Sequence, residues 1–131
     1  MNLNPTYSPE VLSLISSWAD RPDAASDLKE IFGATPEICP SLLHRIRNKD
    51  LSWLPRIEIL PTEILSPAIA AYARATATIY LSNACPSDLQ TEALLEEIGH
   101  HIDALLNTEE TPGDEGALFS ATVRGVELTG E

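Results

Sequence analysis

The segment Leu94–Asp103 (LLEEIGHHID) gathers two glutamates, two histidines and an aspartate. At about 100° per residue on a helix, Leu94, Ile98, Ile102 and Leu105 fall on one side, with Leu95 and Leu106 at its edge. Glu92, Glu96, His100, Asp103 and Asn107 form a polar stripe on the other. Glu96 and His100 stand one turn apart, and His100 and Asp103 are also neighbours. Two ligating side chains at that spacing are what a helix offers a metal ion. Glu97 lies beside them, where a carboxylate could polarise a metal-bound water. A polar stripe opposite an apolar one is equally what a plain surface helix shows, so the spacing leaves both readings open. Gly99 costs about 1 kcal/mol in a helix interior relative to alanine, which implies that another element packs closely there. His101 falls nearer the apolar side, as a partly buried core histidine.

The elements that must position these residues can be read around them. Pro86, Ser87 and Asp88 supply helix-start signals, and the helical pattern runs unbroken to about Asn107. Upstream, Arg56–Leu60 (RIEIL) alternates as a strand does, between Pro55 and Pro61. Ala70–Ala73, the polar Arg74–Thr76 and Ala77–Leu81 read as a β-hairpin, although the turn has neither glycine nor asparagine. Its second strand is expected beside the motif helix as the exposed edge, with Tyr80 packing. Downstream, Thr108–Gly113 (TEETPG) reads as a loop, and Asp114-Glu115 opens a helix through Arg124 that turns Leu118, Phe119 and Val123 inward. Val126–Glu131 reads as a last strand or as the lead into further chain.

The first third reads as three short helices. Ser8-Pro9-Glu10 is a cap, a first-turn proline and an acid at the positive helix end. Val11, Leu12, Leu14, Ile15 and Trp18 then give an apolar face up to Asp20. A second helix spans about Asp23–Phe32 and is closed by Gly33, and a third lies within Thr35–Asn48 with His44 at the surface. The reading is one α+β domain over 1–131, with a helical part over 1–50 and a core over 54–124.

With 131 residues and 44% apolar content, the chain is long enough to bury a core. Its 8 basic and 20 acidic residues give a net charge of −12, which repels phosphate backbones and anionic lipid. Nucleic-acid and membrane-surface roles are therefore disfavoured, and the surplus acid serves solubility or converges on a cation. Cys39 and Cys85 form no CxxC pair and read as buried small apolar residues. No stretch approaches the roughly 20 apolar residues of a membrane span. Met1–Leu14 lacks the basic-then-apolar pattern of a signal peptide, which points to the cytoplasm by default, with non-classical secretion left open.

Three features in order, Ala71–Leu81 (AYARATATIYL), Glu96–His100 (EEIGH) and Asp114–Ala121 (DEGALFSA), resemble a compact zincin metallopeptidase of the glutamate-zincin branch. In that superfamily an edge strand precedes a helix bearing HExxH, and a later helix supplies an acidic third ligand. The resemblance implies that His100 is the second histidine ligand, Glu97 the general base and Glu115 the acidic third ligand, with Asp114 its nearest rival. Glu96 stands where the family has its first histidine, and Asp103 offers another closure of the ligand set. Carboxylate in place of imidazole weakens the preference for Zn2+, admits Mn2+ or Ca2+, and makes bound water a poorer acid. Leu54–Phe119 is also similar to an uncharacterised domain at the front of long cyanobacterial, haemolysin-repeat-type calcium-binding proteins. The implied function is a divalent-metal site, with a peptide or protein held as an added strand and hydrolysed by activated water. Two alternatives remain: a non-catalytic interaction or processing module with an acidic groove, and a calcium-stabilised acidic domain.

Overall fold

Ser8 sets the first helix of the computed structural model, which describes residues 7–33, 38–106 and 115–125. Its hydroxyl accepts from the Val11 amide at 3.3 Å and opens α1 (Pro9–Ala19), with Pro9 in the first turn. Val11, Ile15 and Trp18 are buried, while Leu12 and Leu14 sit at the margin of that face. Helix α2 (Ala24–Phe32) ends at Gly33, whose φ of 65° lets its amide return to the Lys29 carbonyl at 2.8 Å. Helix α3 (Ile38–Arg47) closes on Lys49, a non-glycine residue held at φ 62°. His44 is exposed, as its surroundings implied.

The three strands form one mixed sheet in the order β1-β3-β2. Strand β1 (Arg56–Leu60) pairs in parallel with β3 (Thr78–Ser82), and β2 (Ala70–Ala73) pairs with β3 antiparallel. The expected hairpin is present, and Ala77 at φ 51° supplies the left-handed turn residue that the sequence lacked as glycine. The edge assignment is corrected: β3 is the central strand, and β1 and β2 are the edges, with β2 the one beside α5. Thr78, Ile79, Leu81 and Ser82 are all buried, as suits a strand flanked on both sides, whereas the small residues of β2 remain half-buried. A one-turn helix, α4 (Thr62–Leu65), fills the β1–β2 connection and had no signal in the sequence.

The motif helix α5 (Ser87–Leu106) lies across Ala70 and Tyr72 of the sheet, and α6 (Glu115–Arg124) packs on its other side. Leu94, Leu95, Ile98, Ile102 and Leu106 are buried, but Leu105 is exposed. A gap of about 160 Å3 between α3 and the last turn of α5 leaves it uncovered. On α6, Gly116, Phe119, Ser120 and Val123 form the inward arc at helical spacing, so Phe119 and Val123 are buried as expected. Leu118 lies off that arc and is exposed. Trp18 meets the Phe119 ring edge-to-face at 5.3 Å and Phe32 lies 6.1 Å from it, tying α1 and α2 to α6 in one apolar cluster. Cys85 is half-buried, because it sits in the short loop entering α5, with its thiol directed at the Pro86 carbonyl. The Cys39 side chain, Asn107, the 108–113 loop, Asp114 and the 126–131 tail lie outside the described residues.

The close packing implied by Gly99 is found. A Cβ there would stand 2.9 Å from the Gly116 Cα, and one on Gly116 would stand 2.6 Å from the Glu96 carbonyl oxygen. Backbone atoms cannot give way as a flexible side chain would. Gly99→Ala should therefore cost about 1–3 kcal/mol through overpacking, more than the roughly 1 kcal/mol that alanine gains in helix propensity. Urea unfolding midpoints compare the two directly, and a midpoint equal to or above the parent's would show that the helices do not meet there.

Candidate functional site

Because Gly116 admits the backbone of α5, the residue before it is carried beneath His100. Glu115 opens α6, where the helix dipole favours a carboxylate, and it is 2% exposed. Its Oε1 lies 3.1 Å from His100 Nδ1. The other oxygen, Oε2, is buried with no hydrogen-bond partner among the described residues. A 3.1 Å separation suits two atoms that share a proton, and equally two ligands flanking one ion at about 2.0–2.2 Å each. The imidazole of His100 rests on Gly116, whose missing side chain makes room for the ring.

His100 is 30% exposed, so the pair is open on one side only. It opens into a cavity of about 280 Å3 lined by Tyr72, Arg74, Glu97, His100 and Asp103. Burial pushes the Glu97 carboxyl above the usual carboxylate range. Nearby His100 opposes that shift and Glu96 adds to it. Asp103 is almost wholly buried, with one Arg74 guanidinium nitrogen 3.8 Å from its Oδ2. That position serves the cavity wall and an ion pair more directly than a ligand role.

Glu96 is placed elsewhere. It lines an adjoining cavity of about 330 Å3 with Ile69, Ala70, Leu89, Glu92 and Ala93, and Glu97 borders both spaces. The sequence-derived set is therefore divided: Glu115 meets His100, Glu97 and Asp103 share the His100 cavity, and Glu96 does not line it. Among the described residues, no three His, Cys, Asp or Glu side chains gather as a ready-made metal shell. Asp114 lies outside the described residues. A larger cavity of about 470 Å3, against α1 and Trp53, receives none of these groups.

Tyr72 and Arg74 are the participants that sequence reasoning missed. Tyr72 alternates with Ala70 on the α5 face of the edge strand, a signal visible only once that strand is known to be the edge. Arg74 lies in the hairpin turn, where a cation reads as surface. Tyr72 is held from behind by His101, which is 5% exposed. His101 Nε2 lies 2.6 Å from the Trp53 carbonyl, which can only accept, so Nε2 carries the proton. Nδ1 then accepts from the Tyr72 hydroxyl at 2.7 Å. Burial lowers the His101 pKa, against a smaller opposing effect of the Trp53 carbonyl bond.

A lowered imidazole pKa penalises protonation in the fold. The stability it represents is complete above the unfolded value of about 6.5 and is lost as pH falls towards the depressed folded value. His101→Gln retains a donor and an acceptor but does not titrate. The parent's resistance to denaturant should fall between about pH 7 and pH 5 more steeply than that of the variant. Parallel pH profiles would show that His101 is not held neutral.

Compared with protein-family models, curated proteins and solved structures, the chain matches none, so no relative supplies a role for any of these residues.

Proposed function

We propose that the chain is a divalent-metal-binding, metallopeptidase-like domain acting on an extended peptide, with His100 and Glu115 as its two firm ligands. The observation that carries this reading is the buried Glu115 carboxylate, which touches His100 with one oxygen and has no partner for the other among the described residues. A cation beside the pair would take His100 Nδ1 and Glu115 Oε1 as ligands, and a bidentate carboxylate would also engage Oε2, so the residues fit such a group. Two protein ligands with solvent completing the shell would bind more weakly than three, and the carboxylate admits Mn2+ or Ca2+ beside Zn2+. The zincin-like arrangement is further supported by the antiparallel edge strand β2 alongside the motif helix and by a carboxylate arriving from the next helix.

A bound divalent ion would supply Lewis-acid polarisation of a carbonyl and a more acidic water. The chain's own groups do the rest. Strand β2 has no partner on its outer edge among the described residues and offers backbone donors and acceptors to a peptide. Glu97, bordering the same cavity as His100, takes the proton of the attacking water and returns it to the leaving amine. Tyr72, fixed by His101, and Arg74 wall the cavity and limit bulk water. A second reading, a partner-binding module that does not cleave, is favoured by the placement of Glu96 outside the His100 cavity.

Thermal melts in EDTA, Zn2+, Mn2+ and Ca2+ test the metal. An ion at a hundredfold its Kd should add about 2.7 kcal/mol to the parent. His100→Ala and Glu115→Gln should each abolish most of that gain, and four superimposable parent curves would remove the metal from the reading. Peptide-library digestion tests the chemistry. Glu97→Gln should keep the ion-dependent melting shift and lose about a hundredfold or more of any cleavage. Cleavage that survives Glu97→Gln would refute the catalytic assignment, and a parent that binds metal but never cleaves would favour the binding module.

A further inference from the structure

Two side-chain polar atoms among the described residues are buried without a hydrogen-bond partner, Glu115 Oε2 and Trp53 Nε1. The first belongs to the site beside His100. Trp53, which carries the second, borders the larger cavity of about 470 Å3 between α1 and the chain that leads from α3 into β1. That space lies within the roughly 300–1,000 Å3 of small-molecule pockets. Ile15, Ile46 and Trp53 of the core, with Leu54 packed on them, make its apolar wall. Ser13 and Lys49, both exposed, and Ser16 and Asp50, half-buried, supply its polar part.

The indole cannot turn to find a partner elsewhere. The Trp53 carbonyl accepts from His101 Nε2 at 2.6 Å, and the imidazole lies nearly parallel to the indole, at 21° with ring centroids 6.4 Å apart. With the residue 5% exposed, core packing fixes the ring. An unpaired N–H held away from water is a donor whose desolvation nothing offsets. An acceptor carried in on an apolar body would offset it. Reaching the N–H takes a small displacement of a lining side chain, and Leu51, 53% exposed, is the apolar one with room to swing. The indole of Trp18, by contrast, already donates to Asp27 at 3.0 Å.

The charges around the cavity decide the kind of acceptor. Asp20 and Asp50 line it beside Lys49, whose ammonium donates to Ser16 Oγ at 2.8 Å. The Asp50 carboxylate accepts from the Ser52 amide and hydroxyl, which favour its ionised form, so an anionic head would meet like charge. An ion seated against the apolar wall would also lose its hydration. We infer that this cavity binds a small neutral molecule with an apolar body and one carbonyl oxygen, which accepts from Trp53 Nε1. The cavity shares no lining residue with the His100 cavity, so the inference stands apart from the metal reading.

Two probes of one shape, acetophenone and ethylbenzene, separate the carbonyl from the apolar body. They are titrated into the isotope-labelled full chain, whose NMR spectrum carries one indole N–H signal for each of its 2 tryptophans. The Trp53 signal is the one missing from Trp53→Phe. Acetophenone should move it downfield and leave the Trp18 signal in place, and should bind about tenfold tighter than ethylbenzene. In Trp53→Phe, which keeps an apolar ring and removes the donor, the two probes should bind alike. Ser16→Phe should fill the space and abolish binding of both. Several results would overturn the inference: no measurable binding of acetophenone, equal affinity of the parent for both probes, or an unmoved Trp53 signal. So would binding that survives Ser16→Phe, or a ketone preference that persists in Trp53→Phe. If either variant fails to fold, the Trp53 signal is assigned through its sequence neighbours and the parent's titrations decide.

Discussion

The site depends on how closely α5 and α6 approach, and two glycines govern that distance. At Gly99 and Gly116 the backbones are in contact, and any Cβ would collide with main-chain atoms of the other helix. This crossing puts Glu115 beneath His100 and gives the imidazole a flat surface to rest on. A buried carboxylate with an unsatisfied oxygen is costly in isolation. Its place at the start of α6 and its contact with His100 offset part of that cost, and a cation would offset more.

The helices with no chemistry of their own decide where that carboxylate stands. Phe119, one turn along α6 from Glu115, is clamped by Trp18 and Phe32. Arg21 adds a hydrogen bond of 3.1 Å to the Thr122 carbonyl near the other end of α6. Trp18 is itself tied to Asp27 through its indole nitrogen at 3.0 Å. Positioning of Glu115 is thus spread over α1, α2 and α6, and loosening any of these contacts would be felt at His100.

Helix α5 is covered along much of both its faces, which changes the meaning of its polar stripe. With α6 and the sheet against it, Asp103 is buried and Glu97 is partly desolvated, so the charges interact through protein more than through water. The groove between α5 and β2 divides the acids into two settings. One holds His100, Asp103, Arg74 and Tyr72, and the other holds Glu92 and Glu96 among apolar residues, with Glu97 between them. The Trp53–His101–Tyr72 chain keeps the Tyr72 ring in place from the core side.

Much of the local structure was legible in the residues themselves. Ser8-Pro9, Gly33, the alternation of Arg56–Leu60 and the long run before Asn107 announced α1, the end of α2, β1 and α5, because caps, turns and hydrophobic period are short-range properties. Gly99 announced a close contact, since a mid-helix glycine needs a reason, whereas Glu115 was linked to His100 only through a family resemblance and not by any local signal. What the chain could not disclose locally was which strand would be central, since pairing of β1 with β3 is a choice between distant segments. That choice exposed β2, brought Tyr72 and Arg74 into the site and sent Glu96 to a separate cavity. Whether Glu96 could join His100 depended on how α5 rolled between the sheet and α6, and a helix's rotation about its own axis is settled only by what packs on both sides of it.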